Sequence, residues 1–340
     1  MKRTILYVVL AFIVAPIFVS CYQSHKKKLD LAYALVESRP DSALALMKHI
    51  DQEGLSKEEM AKYALTYYIA QDKSGLDLDN DSLIRIAYDW YEGHQEDSLY
   101  VLCLNYMGKF YLLVDSMEQA KSCLEKAYFI SDSLHKMNVK RLVLDKLIEV
   151  EEQLEPYKAL RYAKDMLKMY DSMANVTIYN KVAARLRLGE NFFYVGSLQY
   201  ALEEERKAYR MAMKAGDSNL LSYVRQNLAS TFEEMGEKDS CLYYARLAYD
   251  LNAANRFSCL LTFASAYISV DSLNQAFSLL NQALPKTAED RYSVFYFQSQ
   301  AAMKAQDFKS AKSFSDSAYH YLEDMYRTAL QGKAAYYTSF

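Results

Sequence analysis

The sequence predicts an all-α chain, an α-solenoid of about seven to eight antiparallel helix pairs, and three observations carry that expectation. Glycine and proline are scarce, nine and four in 340 residues. A sandwich or barrel needs a turn signal roughly every 8–12 residues, which so few turn formers cannot supply, whereas long helices with short connections can. About half of the chain is apolar (51%) and 24% is charged, the balance of a folded protein and not of a disordered one. Finally, small and aromatic residues recur at fixed offsets along the chain.

Those offsets are 0, 3, 12, 16 and 19, as in Gly108, Tyr111, Ala120, Leu124 and Ala127, and again in Ala264, Tyr267, Ala276, Leu280 and Ala283. The turns inside these two units nearly coincide, Val114–Ala120 against Val270–Ala276. Two further units follow with drift: Gly189, Phe192, Ala201 and Ala208, then Ala229, Phe232, Cys241, Ala245 and Ala248. Weaker ones start at Leu147 and Ser299. Successive starts are 39, 42, 40, 35 and 35 residues apart. The spacing has a physical cause. Small residues at the start and 12 later let two antiparallel helices approach closely, the aromatic fills the neighbouring groove, and the small residue at offset 19 lets the next pair dock. Each hairpin alone leaves an apolar face wet, so stacking completes the core.

Helix starts are legible too. Ser116-x-x-Gln119 and Ser272-x-x-Gln275 read as capping boxes, and Asp97-Ser98, Asp217-Ser218 and Asp239-Ser240 as N-caps. Near the front, Pro40–Leu44 starts a helix that pairs with residues 29–37. Glu58–Gln71 and Asp81–His94 form the next pair, joined by Gly75–Asn80.

This pattern resembles the tetratricopeptide repeat, whose consensus carries Gly, an aromatic and Ala at these offsets. The resemblance covers about residues 29–330 and implies a superhelix whose concave groove is lined by the first helix of each pair. The family usually repeats every 34 residues; the longer period here implies extended helices in the early units. In the family that groove holds a peptide segment or a partner's helix. Carrying over its phase gives Asn105, Lys109, Glu190, Tyr194, Tyr223, Gln226, Ser265 and Tyr296 as candidate contacts. A protein or peptide partner is implied, and no cofactor.

At the amino terminus, Lys2-Arg3 precedes an uncharged run, Thr4–Val19, and then Ser20-Cys21. A basic start and an apolar stretch of that length make a secretory signal, too short for a comfortable bilayer span of about 20 residues. Phe18–Cys21 resembles a bacterial lipobox, with Phe18 where Leu is usual. Residues 1–20 are therefore expected to be a lipoprotein signal peptide, Cys21 the lipidated residue, 21–28 a membrane-proximal tether and 29–340 the repeat domain. Lys26, Lys27 and Lys28 would lie near anionic headgroups, worth about 1 kcal/mol each. Surface-displayed lipoproteins of Bacteroidota, which the chain is similar to, tend to be acidic there, so a periplasm-facing anchor in the cell envelope is expected.

Several function classes find no support. The net charge is −3 and no basic stripe exists to follow a phosphate backbone, so nucleic-acid binding is not expected. The 31 Tyr residues, with a single Trp (Trp90), read as interhelical packing with hydroxyls reaching water. Cys103, Cys123, Cys241 and Cys259 show no CxxC spacing and read as buried apolar residues. The five His are scattered, no phosphate loop, GxSxG or HExxH occurs, and no metal site or catalysis is expected. The runs Glu149-Glu151-Glu152 and Glu203-Glu204-Glu205 read as solvated helical faces.

Two binding readings follow. Pro40–Leu44, then Asp81–Ile84, then a Tyr-rich array resemble the sensory half of Bacteroidota regulators, which implies an anchored scaffold or sensor module. Those regulators continue into a transmembrane helix and a DNA-binding output; this chain stops at Phe340, as a truncated relative or a stand-alone subunit would. The alternative is glycan capture, since starch-utilisation lipoproteins of these bacteria build tetratricopeptide helices beneath a sugar-binding face.

Overall fold

Each repeat start at which a small residue was expected is buried, and the chain around it is helical. The computed structural model describes residues 26–338, except 77, 79, 80, 95–97, 136 and 252. The expected signal peptide, Cys21 and the Asp97 cap lie outside the described residues. Among those residues there are 16 helices and no strand. None of them is long and apolar enough to cross a membrane.

The chain divides into two units, 1–146 and 147–340. The first holds α1 (26–35), α2 (Pro40–Met47), α3 (Lys57–Lys73), α4 (Ser82–Tyr91), α5 (Ser98–Leu113) and α6 (Met117–Ser133). The boundary falls within α7 (Met137–Leu154). The second continues with α8 (Pro156–Ser172), α9 (Ile178–Tyr194), α10 (Leu198–Ala215), α11 (Ser218–Glu234) and α12 (Lys238–Tyr249). It ends with α13 (Arg256–Ser269), α14 (Leu273–Leu280), α15 (Ala288–Lys304) and α16 (Phe308–Thr338). Sequence neighbours pack in pairs, α3 with α4, α5 with α6, α9 with α10, α11 with α12, α13 with α14 and α15 with α16, and α1 already takes in Lys26, Lys27 and Lys28 of the expected tether.

The residues at offset 12 are buried throughout: Ala120, Ala159, Ala201, Cys241 and Ala276 at 0% exposure and Ala311 at 2%. A Cβ on Gly108 would meet Leu124 Cγ at 2.6 Å; one on Gly189 would meet Glu205 Cγ at 3.1 Å and the Ala201 carbonyl at 3.5 Å. The start glycine thus makes room mainly for the offset-16 side chain, not only for the small residue at 12. Ala229 and Ala264 are fully buried; Ala127, Ala208 and Ala248 seal the next interface. Tyr111 and Phe192 are half-buried, and the Phe263 and Tyr267 rings meet tilted, with centroids 4.4 Å apart. Ala283 lies past the end of α14, half-buried, because the chain turns at Asn281–Ala283 ahead of Pro285. In the second unit, Leu228, Phe263 and Leu280 and their neighbours form one continuous apolar core, each such side chain contributing about 1.5–3 kcal/mol of burial.

The expected capping boxes at Ser116 and Ser272 do not form; neither side chain caps its helix. The cause is a turn common to five repeats. At offset 7 the backbone is left-handed in Asp115, Gly196, Gly236, Asp271 and Gln306 (φ 54–76°). The next amide then donates to the carbonyl at offset 3: Ser116 to Tyr111, Ser197 to Phe192, Glu237 to Phe232, Ser272 to Tyr267 and Asp307 to Ala302 (2.8–2.9 Å). This is the Schellman closure. It uses the very N–H that a capping-box side chain would accept. For the same reason α12 starts at Lys238, placing Asp239 and Ser240 inside the helix and not at its cap. Side-chain caps fall mainly on the first helices of pairs, although Asp307 caps the second helix α16 by accepting from the Ser310 amide at 3.1 Å. Ser56 with Glu59 and Thr287 with Asp290 make full boxes, and Thr177 and Asp217 accept from Asn180 and Leu220. The unit starting at Leu147 lacks the left-handed turn: α7 and α8 are joined by Glu155 alone, ahead of Pro156.

Two further expectations are corrected. Tyr68 is 1% exposed and its hydroxyl has no partner, so it does not reach water; its ring meets Tyr106 edge-on at 6.1 Å. Glu151, Glu204 and Glu205 are buried at 0%, 9% and 1% exposure. Glu204 can be buried because Arg185 (2.7 Å) and Lys207 (2.6 Å) neutralise it, and Glu205 because Gly189 leaves it space.

Candidate functional site

In the second unit α9 packs on α11, α11 on α13 and α13 on α15, so the first helices of successive pairs share one layer. That layer is the inner face of a helix-pair stack. On it, residues six and three before the repeat start and one and five after it fall at helical spacing on one stripe. Tyr223 stands six before Ala229, Gln226 three before it, Tyr296 three before Ser299, Glu190 one after Gly189, Tyr194 five after it, and Ser265 one after Ala264.

The side chains on this stripe divide into two groups. The polar ones bond to a neighbouring repeat. Glu190 Oε1 accepts from Asn227 Nδ2 at 2.9 Å, and Gln226 accepts from Asn255 Nδ2 at 2.9 Å while donating to Ser258. Ser265 donates to Glu233 Oε1 at 2.6 Å. Within the first unit Lys109 pairs with Asp72 of α3, and Asn105 is 5% exposed inside α5. The aromatic ones stand clear: Tyr194 is 58% exposed, Tyr223 44% and Tyr296 43%. The result is a polar floor that ties repeat to repeat, with tyrosine rings rising from it.

The densest part of the floor lies where α7 and α9 face each other. Arg187 reaches Glu152 at 3.5 Å and Glu190 at 3.6 Å, and Asn191 Nδ2 donates to Glu152 Oε1 at 2.9 Å. Burial pushes the Glu152 carboxyl above the usual range; Arg187 and Asn191 oppose this and Glu190 and Glu149 add to it. The Tyr194 phenol is likewise raised, by burial and then by Glu152 and Glu190; on α9 Tyr194 stands one turn after Glu190, on the same face. Glu152 and Asn191 were absent from the sequence candidates; Glu152, five after the start at Leu147, lies on the stripe and could have been found from that phase, whereas Asn191, two after Gly189, lies off it and carries no such signal.

Burial pushes the Cys123 thiol up to about 11 and the Cys241 thiol to about 12, values of inert packing residues. Among the described residues no three His, Cys, Asp or Glu gather as metal ligands would.

No family model matches the sequence, and no curated protein matches it. Solved structures do. The apo form of RapI superposes with a TM-score of 0.67 at 14% identity, covering 88% of this chain and 86% of that one. A Rap protein complexed with Competence and Sporulation Factor gives 0.60 at 14% identity, covering 92% and 99%. Aspartyl phosphate phosphatase F from Bacillus subtilis gives 0.58 at 15% identity, covering 93% and 92%. The chain therefore has a tetratricopeptide-like helical-repeat fold. At these identities the likeness carries the fold and no residue of any neighbour's activity.

Proposed function

We propose that this chain is a membrane-anchored, non-catalytic binding module that takes an extended protein or peptide segment on the inner face of its second unit. The observation that supports this is the row of exposed rings, Tyr194, Tyr223 and Tyr296, on α9, α11 and α15, above a floor already hydrogen-bonded. Exposed Tyr provides large contact area at low entropic cost, and the satisfied floor holds it in place. A fold neighbour with a bound factor, the Rap protein complexed with Competence and Sporulation Factor, is compatible with this reading. Anchoring rests on the lipobox-like Phe18–Cys21, and on that basis we place the chain in the cell envelope, facing the periplasm, as a scaffold or sensor module.

A peptide-array screen followed by calorimetry tests the binding. Saturable peptide binding, lost when Tyr194, Tyr223 and Tyr296 are changed together to Ala, is expected. Binding indifferent to that triple change, or saturable heat with oligosaccharides and none with peptides, overturns it in favour of glycan capture. Labelled palmitate should enter the parent chain and not Cys21→Ser.

A further inference from the structure

Resting on that reading, we infer that the α7–α9 end of the inner face is a subsite for a cationic side chain, the Arg or Lys of the bound segment. Four observations support it. Glu152 and Glu190 share one guanidinium, Arg187, at 3.5 and 3.6 Å, so the triad carries an excess negative charge. Arg187 and Asn191 both bond Oε1 of Glu152, and Asn227 and Arg187 take one oxygen each of Glu190; these bonds fix both carboxylates in place. Tyr194, exposed and one helical turn after Glu190 on the same face of α9, offers a π face to a cation.

The fourth observation is independent of the acids. Asn191 is 1% exposed, and its Nδ2 donates to both Glu152 Oε1 (2.9 Å) and the Arg187 carbonyl (2.8 Å). The amide is thereby pinned, and its Oδ1, one amide width from the Glu152 contact, has no hydrogen-bond partner. A buried acceptor left without a donor is destabilising. An ammonium or guanidinium brings several N–H donors to one place and no acceptor. It therefore suits a cluster of two carboxylates and an orphan carbonyl, whereas an acidic or aliphatic side chain would leave every one of these groups unanswered. Charge-assisted bonds of this type are about twice as strong as neutral ones.

The test uses the full chain in a neutral detergent and three fluorescein-labelled peptides of equal length, alternating Ala with Arg, with Ser or with Glu, read by anisotropy. The Arg peptide is expected to bind about tenfold tighter than the Ser peptide, a gap of about 1.4 kcal/mol, and the Glu peptide weakest. Joint Glu152→Gln and Glu190→Gln should bring the Arg peptide to the level of the Ser peptide, and Tyr194→Ala, at an exposed position, should weaken it several-fold. Glu203→Gln on the opposite layer should change nothing. If the three peptides bind alike, the groove stands and the cation subsite falls. If Glu203→Gln weakens the Arg peptide as much as the groove pair does, the attraction is diffuse and the subsite falls. If no peptide binds, both readings fall.

Discussion

Glu205 offers the sharpest check on the packing described above. Its side chain fills the space beside Gly189 at 1% exposure, Oε1 accepts from Thr231 Oγ1 at 2.8 Å, and Oε2 has no partner. Burial pushes the carboxyl from 4.5 up to about 7, with Glu190 adding to the rise and Thr231 opposing it. In the unfolded chain the group titrates near 4.5. Below that pH both states hold the proton and the site costs nothing. As pH climbs from 4.5 to 7 the unfolded chain ionises while the folded one keeps its proton, so stability falls by about 1.4 kcal/mol per unit. Above 7 the loss levels off near 3 kcal/mol. Glu205→Gln removes this dependence and keeps the volume and an acceptor for Thr231. Urea unfolding of both proteins at intervals from pH 4.5 to 8 isolates the difference, since every other titrating group is common to the two. The variant should match the parent at the acid end and exceed it by up to about 3 kcal/mol at the alkaline end. Parallel stability profiles would refute the claim that this carboxyl is buried against the glycine.

Three further outcomes follow from single contacts, each read by thermal or denaturant unfolding. Gly108→Ala puts a Cβ at 2.6 Å from Leu124 Cγ, and overpacking of that kind costs about 1–3 kcal/mol against about 1 kcal/mol of helix propensity gained, so a net loss of up to about 2 kcal/mol is expected. Gly189→Ala, with its nearest atom at 3.1 Å, should cost clearly less; the reverse order would show the two turns misassigned. Gln306→Gly should stabilise by about 1 kcal/mol, because φ of 60° is strained for Gln and free for Gly. Tyr68→Phe removes a buried hydroxyl without a partner and should be stabilising by about 1 kcal/mol or neutral; a loss above 1 kcal/mol would mean that the hydroxyl is bonded.

The repeat was legible because its small residues answer a steric demand that shows directly as sequence. Nothing but Gly fits at 108 opposite Leu124, and Ala recurs at offset 12 because two helices cross there. The turn at offset 7 was not legible, since Asp115, Asp271 and Gln306 adopt the left-handed backbone without Gly, leaving Ser116 and Ser272 to imitate capping boxes. Glu205 was misread because it sits in a run of three acids. Its offset, 16, is the one occupied by Leu124, Ala245 and Leu280, and that register would have shown it pointing inward. At the candidate site the phase of the stripe could be carried over from the spacing, but not what each side chain holds. Whether Glu190 or Gln226 is open to a ligand depends on Asn227 and Asn255, which lie on neighbouring helices and have no signature of their own.

The bonds under the tyrosine row also fix how far each hairpin is rotated from the one before it. Glu190–Asn227 sets α9 against α11, and Gln226–Asn255 with Glu233–Ser265 sets α11 against α13. A guest that borrows a hydrogen bond from one of these rungs loosens that joint at the same moment. The same rungs that hold the layer would thus feel an occupant first, because each one joins a helix to the next.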